Sequence, residues 1–321
     1  MATDPFKKLA MHLDKLPGGF PPTDSGIELR ILKRLFTEEE ARMAVHLTLL
    51  GEEAHVIARR AKLPVEEAAA LKKMARRGLI FRKQKPGEAP FYSAAQFIVG
   101  IWEYHVNDLD AALVRDVNEY LPQLVDAEAW RKAPQLRTIP VQRSLEPKHE
   151  ALPHEAAEVL VKGRKKYLVA PCICRKEHEI VGDGCGKLME ACLIFDWAAD
   201  YYERNGIGRI IDEAETIKIL RKAEKEGLVV QPSNSVKPIN ICLCCGCCCQ
   251  VLKQLKHHEE PARYFASAFY ATAQTETCTA CGACVDRCPM AALTLEEVIA
   301  VDETRCIGCG LCVTACPTDT L

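Results

Sequence analysis

The sequence predicts an α+β protein in three parts, and three observations carry that expectation. Residues 1–130 contain no cysteine and repeat apolar side chains at helical spacing. Residues 131–265 mix short apolar runs with helical stretches and hold ten cysteines. Residues 266–321 hold the other eight, in two copies of one short spacing. With 48% apolar and 27% charged residues, the chain has the composition of a globular protein, which excludes a solvated tail or a fibre.

In the first part, Ile27 to Phe36 has apolar residues at helical spacing. Thr37 followed by Glu38, Glu39 and Glu40 reads as a capped start for a helix running to Leu50. Helices are predicted over Glu52 to Ala61 and, after the break at Leu63-Pro64, over Val65 to Arg77, closed by Gly78. Leu79-Ile80-Phe81, a turn at Pro86-Gly87 and Phe91-Tyr92 predict a two-stranded hairpin. The stretch EEAHVIARRAKLPVEEAAALKKMARRGLIFRK resembles the winged helix-turn-helix fold. Between Glu52 and Lys85 lie ten bases and four acids, a balance suited to phosphate. The last helix, however, offers alanines where Asn, Gln or Ser would be needed to read bases, which favours protein docking over nucleic acid.

Asp108 to Val125 is predicted as another helix, after which Pro134, Pro140, Pro147 and Pro153 mark a connector. Pro153 opens a short helix that closes at Gly163. A strand at Tyr167 to Ala170 runs into Pro171-Cys172, a helix is expected over Ile207 to Glu226, and strands over Leu228 to Val230 and Ile239 to Ile241. The cysteines around these elements form two groups: Cys172, Cys174, Cys185 and Cys192, then Cys242, Cys244, Cys245, Cys247, Cys248 and Cys249. Thiols at that density are not packing residues, and metal binding is the expected use. Adjacent cysteines on a strand point to opposite faces, so Cys244-Cys245 and Cys247-Cys248-Cys249 should serve two centres or wrap one irregularly. The GDGCGK segment lacks the spacing of a phosphate loop and reads as a turn presenting Cys185. His178, His257 and His258 lie near the cysteines, although surface placement is the commoner use of such histidines.

The last part reads Cys278, Cys281, Cys284, Cys288-Pro289, then Cys306, Cys309, Cys312, Cys316-Pro317. Zinc would want two separated pairs of thiolates. Disulfides would need an oxidising compartment, and Met1 to Phe20 contains no apolar export segment. The doubled C-x₂-C-x₂-C-x₃-C-P spacing resembles two-cluster bacterial-type ferredoxins. That resemblance implies two [4Fe–4S] clusters with crossed ligands: Cys278, Cys281, Cys284 and Cys316 for one, Cys306, Cys309, Cys312 and Cys288 for the other. Ala280, Gly282, Ala283, Gly308 and Gly310 are small enough to let backbone N–H groups approach the sulfurs. Beside such a module, one or two further iron–sulfur clusters are expected on the ten central cysteines. Ferredoxins of this type continue past the last Cys-Pro into a strand that would pair near Phe269 to Ala273, so the natural protein is expected to run on beyond Leu321.

The segments LPGGFPPTDSGIELRILKRLF, PCICR, GIGR and CCGCCC, ahead of the doubled motif, resemble a family of 4Fe-4S-binding proteins of anaerobic bacteria. The resemblance implies cluster binding and electron transfer. Three domains are expected: a helical winged-helix-like domain at 1–130, a cysteine-rich α/β domain at 131–265 and a two-cluster ferredoxin domain at 266–321. The expected function is the relay of single electrons, with redox proteins as partners in a multi-subunit oxidoreductase. Two other readings stay open: a catalytic iron–sulfur centre in the middle domain, and a redox-sensing winged-helix transcription regulator. From Ala266 to Leu321 seven acids face two bases, a balance suited to a basic partner. No apolar run reaches the roughly eighteen residues of a membrane span, so a cytoplasmic protein without direct membrane insertion is expected. No Rossmann fingerprint follows a strand, and the sequence carries no signal for an oligomeric state.

Overall fold

The computed structural model describes residues 4–64, 68–85, 87–125, 127–145 and 156–321. The chain folds into two compact units, one from residues 1–126 with 180–182 and 200–207, the other from 127–179, 183–199 and 208–321.

In the first unit, Asp4 starts α1 (Pro5–Asp14) by accepting from the Phe6 N–H at 2.8 Å, with proline in the first turn where no donor is lost. Helix α2 (Ile27–Leu35) buries Ile27, Ile31, Leu32 and Leu35, a single apolar stripe. Thr37 and Glu40 form the reciprocal capping box of α3 (Glu38–Ala44), which ends six residues short of the expected Leu50. The expected helix from Glu52 begins late: β1 (Glu52–Glu53) pairs with Tyr92 and Phe91, and α4 (Ala54–Ala61) follows. Glu53 is extended at φ −70° and ψ 153°, because sheet pairing outweighs helical propensity there. Helix α5 is described over Ala68–Arg76; residues 65–67 of the predicted helix lie outside the described residues, as do Pro86, Pro147 and Pro153. Strands β2 (Ile80–Lys83) and β3 (Phe91–Ala94) form the expected hairpin, with Ile80 opposite Ala94 and Lys83 opposite Phe91. The short α6 (Trp102–Tyr104) and α7 (Ala111–Leu124) complete the unit, α7 being capped by Asp110. Phe20 packs 5.0 Å from both Phe97 and Tyr120, and the Tyr120 hydroxyl donates to the Pro21 carbonyl at 2.8 Å. Of the ten bases counted between Glu52 and Lys85, Arg60 is paired to Glu52 and Arg77 to Glu40.

The second unit starts with α8 (Ala127–Lys132) and α9 (Ala157–Val161). Its centre is a five-stranded sheet in the order β6-β4-β5-β8-β7, every described pairing antiparallel. The elements are β4 (Tyr167–Pro171), α10 (Ile173–Val181), β5 (Glu190–Phe195), α11 (Asp196–Arg204), β6 (Arg209–Ile211), α12 (Glu213–Lys225), β7 (Val229–Pro232), β8 (Asn240–Cys244) and α13 (Gln250–Lys256), the last residues of α10 and the second half of α11 being counted with the first unit. The helix expected from Ile207 splits into β6 and α12. Ile210 and Ile211 pair with Leu168 and Tyr167, and Asp212 then caps α12 by accepting from the Glu215 N–H at 2.7 Å.

The C-terminal segment belongs to this same unit. It contains α14 (Ala283–Arg287) and an antiparallel hairpin of β9 (Leu293–Leu295) and β10 (Ile299–Val301) that joins the two cysteine motifs. Cys284, Leu293, Ile299 and Cys312 form its small core. Two arginines fasten it to the helices of the sheet domain. Arg287 donates to the carbonyls of Glu224 and Lys225 at 2.5 and 2.6 Å, at the end of α12. Arg305 donates to those of Lys256 and His258 at 2.9 and 3.3 Å, at the end of α13. Each guanidinium meets carbonyls in or just past the last turn of a helix, the negative end of its dipole, and at Glu224 it shares the carbonyl with the Gly227 N–H at 3.1 Å. Among the described residues no helix is long and apolar enough to cross a membrane.

Tyr201 supplies a stability test for the first unit. Its hydroxyl lies 3.1 Å from the Ala75 carbonyl and 3.0 Å from the Ile80 carbonyl, while its ring stands 4.9 Å from Tyr104 and 5.7 Å from Phe81. Tyr201→Phe keeps the ring and removes the one hydroxyl proton these two carbonyls share, while the Ala75 carbonyl keeps the Asn205 amide at 3.1 Å, so it should cost about 1 kcal/mol. A lower urea midpoint by tryptophan fluorescence is expected; an unchanged midpoint would contradict the assigned hydrogen bonds.

Candidate metal centres

The eight C-terminal cysteines stand in two sets, each drawing three thiols from one motif and one from the other. Cys288, Cys306, Cys309 and Cys312 line a cavity of about 200 Å³, and Cys288 and Cys306 are close neighbours of both Cys309 and Cys312. Cys278, Cys281, Cys284 and Cys316 line a second, smaller cavity closed by Leu295 and Ile299. The backbone turns that present them need residues without bulk. Gly308 has φ +67°, and a Cβ there would stand 2.1 Å from the Phe269 carbonyl oxygen.

Backbone donors already point at the sulfurs. The N–H groups of Ala271, Ala292 and Thr320 donate to the Sγ atoms of Cys306, Cys288 and Cys316 at 3.4, 3.3 and 3.2 Å. Burial opposes ionisation of Cys316, but the N–H and hydroxyl groups of Thr318 and Thr320 outweigh it and bring the thiol down to about 7. Burial pushes Cys309 well above the usual thiol range and Cys312 up to about 12. Such buried thiols favour ligation, since a metal removes the proton and supplies the compensating charge. Four convergent thiols with sulfur-directed N–H groups fit a [4Fe–4S] cluster at each cavity.

The ten central cysteines also divide. Cys185, from the loop after α10, meets Cys245, Cys247 and Cys248, from the turn after β8, with all four sulfurs within 4.8 Å of one another. Such a set suits one tetrahedral ion, whose thiolates at ~2.3 Å would lie this close together, more directly than a cubane, whose outer thiolates stand further apart. Burial opposes the Cys185 thiolate, yet the Lys187 N–H and the thiols of Cys248, Cys247 and Cys245 hold it below the usual range. Burial pushes Cys247 up to about 11.

The other six run in a row. Cys174 contacts Cys172 and Cys249, Cys249 contacts Cys244, Cys244 contacts Cys242, and Cys242 contacts Cys192. The sheet sets this order: Cys192 on β5 is directly opposite Cys242 on β8, and Cys244 lies two residues further along the same face. Cys172 follows β4, Cys174 lies in the first turn of α10, and Cys249 precedes α13. Cys242 and Cys249 are pushed down by their neighbouring S–H donors, and Cys174 and Cys244 are pushed up in return.

Arg175 adds a buried charge to these thiols. Its side chain is 1% exposed, and its guanidinium donates to the carbonyls of Leu188 and Leu243 at 2.7 and 2.5 Å. Burial works against its charge, but the thiols of Cys172, Cys245 and Cys244 outweigh that and hold it protonated. It therefore faces both thiol sets, and its Nε is buried with no hydrogen-bond partner. The only sequence signal was an arginine directly after Cys174, in PCICR. Of the three histidines, His178 lies between Asp183, at 3.6 Å, and Lys253, at 3.3 Å, and the ring of His258 is 4.7 Å from that of Tyr264. The four-sulfur group contains no histidine.

A buried cation beside a metal centre stabilises the reduced, more negative state. Arg175→Met should therefore lower the midpoint potential of a central centre by about 60 mV or more, a tenfold change in a one-electron equilibrium. Arg175→Lys should restore most of the shift. Equal potentials in all three proteins, by anaerobic titration followed by electron paramagnetic resonance (EPR), would remove Arg175 from the sites.

No curated protein and no solved structure matches the chain. Residues 277–320 match a family model described as the 4Fe-4S dicluster domain, and the segment holding both C-terminal thiol sets is thus a ferredoxin-like 4Fe-4S domain.

Proposed function

We propose that this chain is an iron–sulfur electron-transfer protein in which the C-terminal dicluster domain and a central thiolate centre form one internal relay. The observation that carries the reading is the contact at Gly246. A Cβ at this position would stand 2.9 Å from the Pro289 carbonyl oxygen and 3.0 Å from its Cα, so only glycine lets the two backbones meet. Gly246 lies between Cys245 and Cys247 of the four-thiol set, and Pro289 directly follows Cys288 of the dicluster domain. When bound at these thiols, iron–sulfur clusters would supply one-electron carriers. The protein's part is to hold the two thiol sets together, exclude water and fix the sulfurs with N–H donors.

In this reading Cys278, Cys281, Cys284 and Cys316 serve the outer cluster, and Cys306, Cys309, Cys312 and Cys288 the inner one. The partners are redox proteins of a larger oxidoreductase in a reducing cytoplasm. The order of α4, α5 and the β2–β3 hairpin supports a winged-helix-like N-terminal module. Its use in protein docking is favoured because Arg60 and Arg77 are committed to Glu52 and Glu40.

Protein purified without oxygen should carry iron and acid-labile sulfide above the roughly eight atoms of each that two [4Fe–4S] cubes hold. Iron fixed at that level, with all ten central thiols open to alkylation, would refute the relay. Gly246→Val should keep the iron content but weaken the magnetic coupling between the inner cluster and the central centre. Unchanged coupling would show that electrons do not depend on this contact.

A further inference from the structure

We infer that the row of six central thiols holds a second central centre, separate from the four-thiol set. It would be a polynuclear iron–sulfur centre with more protein thiolates than the four a cubane accepts. The inference rests on reading the central domain as an iron–sulfur domain, and adds how its cysteines are shared.

Three observations carry it. The first is separation by the sheet itself. Cys242 and Cys244 share one face of β8 with Cys192 across the ladder, whereas the next residue, Cys245, joins Cys185, Cys247 and Cys248. The second is number and shape. Each iron of a cubane accepts one outside thiolate, so four thiols complete it. Here six thiols follow one another from Cys172 through Cys174, Cys249, Cys244 and Cys242 to Cys192. A connected set of six suits irons joined through protein thiolates as well as through sulfide. The third is Arg175. Its guanidinium faces Cys172 and Cys244 of this set as well as Cys245 of the other, so it borders both, and its buried Nε has no hydrogen-bond partner. Inorganic sulfide would supply an acceptor there. Two zinc ions sharing six thiolates match the count but bring no sulfide, leaving that donor fewer sulfur acceptors.

The test uses the full chain, purified anaerobically, with iron, zinc and acid-labile sulfide counted. Three proteins are compared: the parent, Cys192→Ala/Cys242→Ala in the row, and Cys185→Ala/Cys247→Ala in the four-thiol set. The row variant is expected to lose iron and sulfide together while the EPR signals of the dicluster domain and the four-thiol set persist. The four-thiol variant should lose a different signal. In the metal-loaded parent, all six thiols of the row should resist alkylation read by mass spectrometry, a measurement independent of how the variants fold. Loss of zinc without sulfide from the row variant would overturn the assignment, as would parental iron and sulfide in it, or two of the six thiols reacting freely in the parent. These outcomes differ from failure of the relay, in which the parent itself would hold no iron beyond the dicluster domain.

Discussion

Cys244 and Cys245 follow one another off the end of β8, and a strand turns successive side chains to opposite faces. Cys244 is the last residue of β8 and Cys245 the first beyond it, and the division of the central thiols depends on where the strand stops. Cys242 and Cys244 are fixed on one side by the ladder that sets Cys192 against Cys242 and Gln231 against Cys242. Cys245 is released into the turn, where Gly246 lets the backbone reach Pro289. A one-residue slip of β8 would exchange the faces and leave Cys192 without its opposite thiol. The antiparallel pairing of β8 with both β5 and β7 makes that slip costly, because both ladders must shift together.

Charge is the second constraint. Isolated thiolates and a guanidinium are each expensive to bury, and neither is tolerated away from water without a partner. Arg175 is held charged by thiols on both sides of it, and those thiols gain a fixed cation that does not depend on metal. The backbone carbonyls of Leu188 and Leu243 fix the direction of the guanidinium, so the positive charge cannot swing away to solvent. Metal loading and the arginine thus act in the same sense, each lowering the cost of the buried sulfur.

The dicluster segment was legible because a doubled spacing of eight cysteines with two Cys-Pro closures is a local pattern, and local patterns survive folding. The cap of α3 was legible for the same reason, Thr37 with the glutamates that follow it. What sequence reading missed depends on pairing between distant residues. Glu52 and Glu53 look helical until Tyr92 and Phe91 are set beside them, and Ile210-Ile211 look like helix until β4 supplies a ladder. The density of central cysteines pointed to metal, but their split into four and six needed the register of β5 on β8. Arg175 gave almost no signal, since a charged residue next to a cysteine is ordinarily on the surface.

The two arginines of the C-terminal segment bear on the charge it presents outwards. Arg287 and Arg305 are its only bases, and both are turned inward to the carbonyl ends of α12 and α13. The seven acids, Glu276, Asp286, Glu296, Glu297, Asp302, Glu303 and Asp319, are all exposed. The bases therefore contribute to attachment while the acids set the outward field, so the surface is more one-signed than the sequence count implies. At physiological salt that field extends about 8 Å, enough to orient a basic partner during the last step of encounter but not to attract it from afar. The proposed relay, which would exchange one electron and then release a partner, would be served by such a field, because orientation speeds association while a polar, exposed contact keeps dissociation fast.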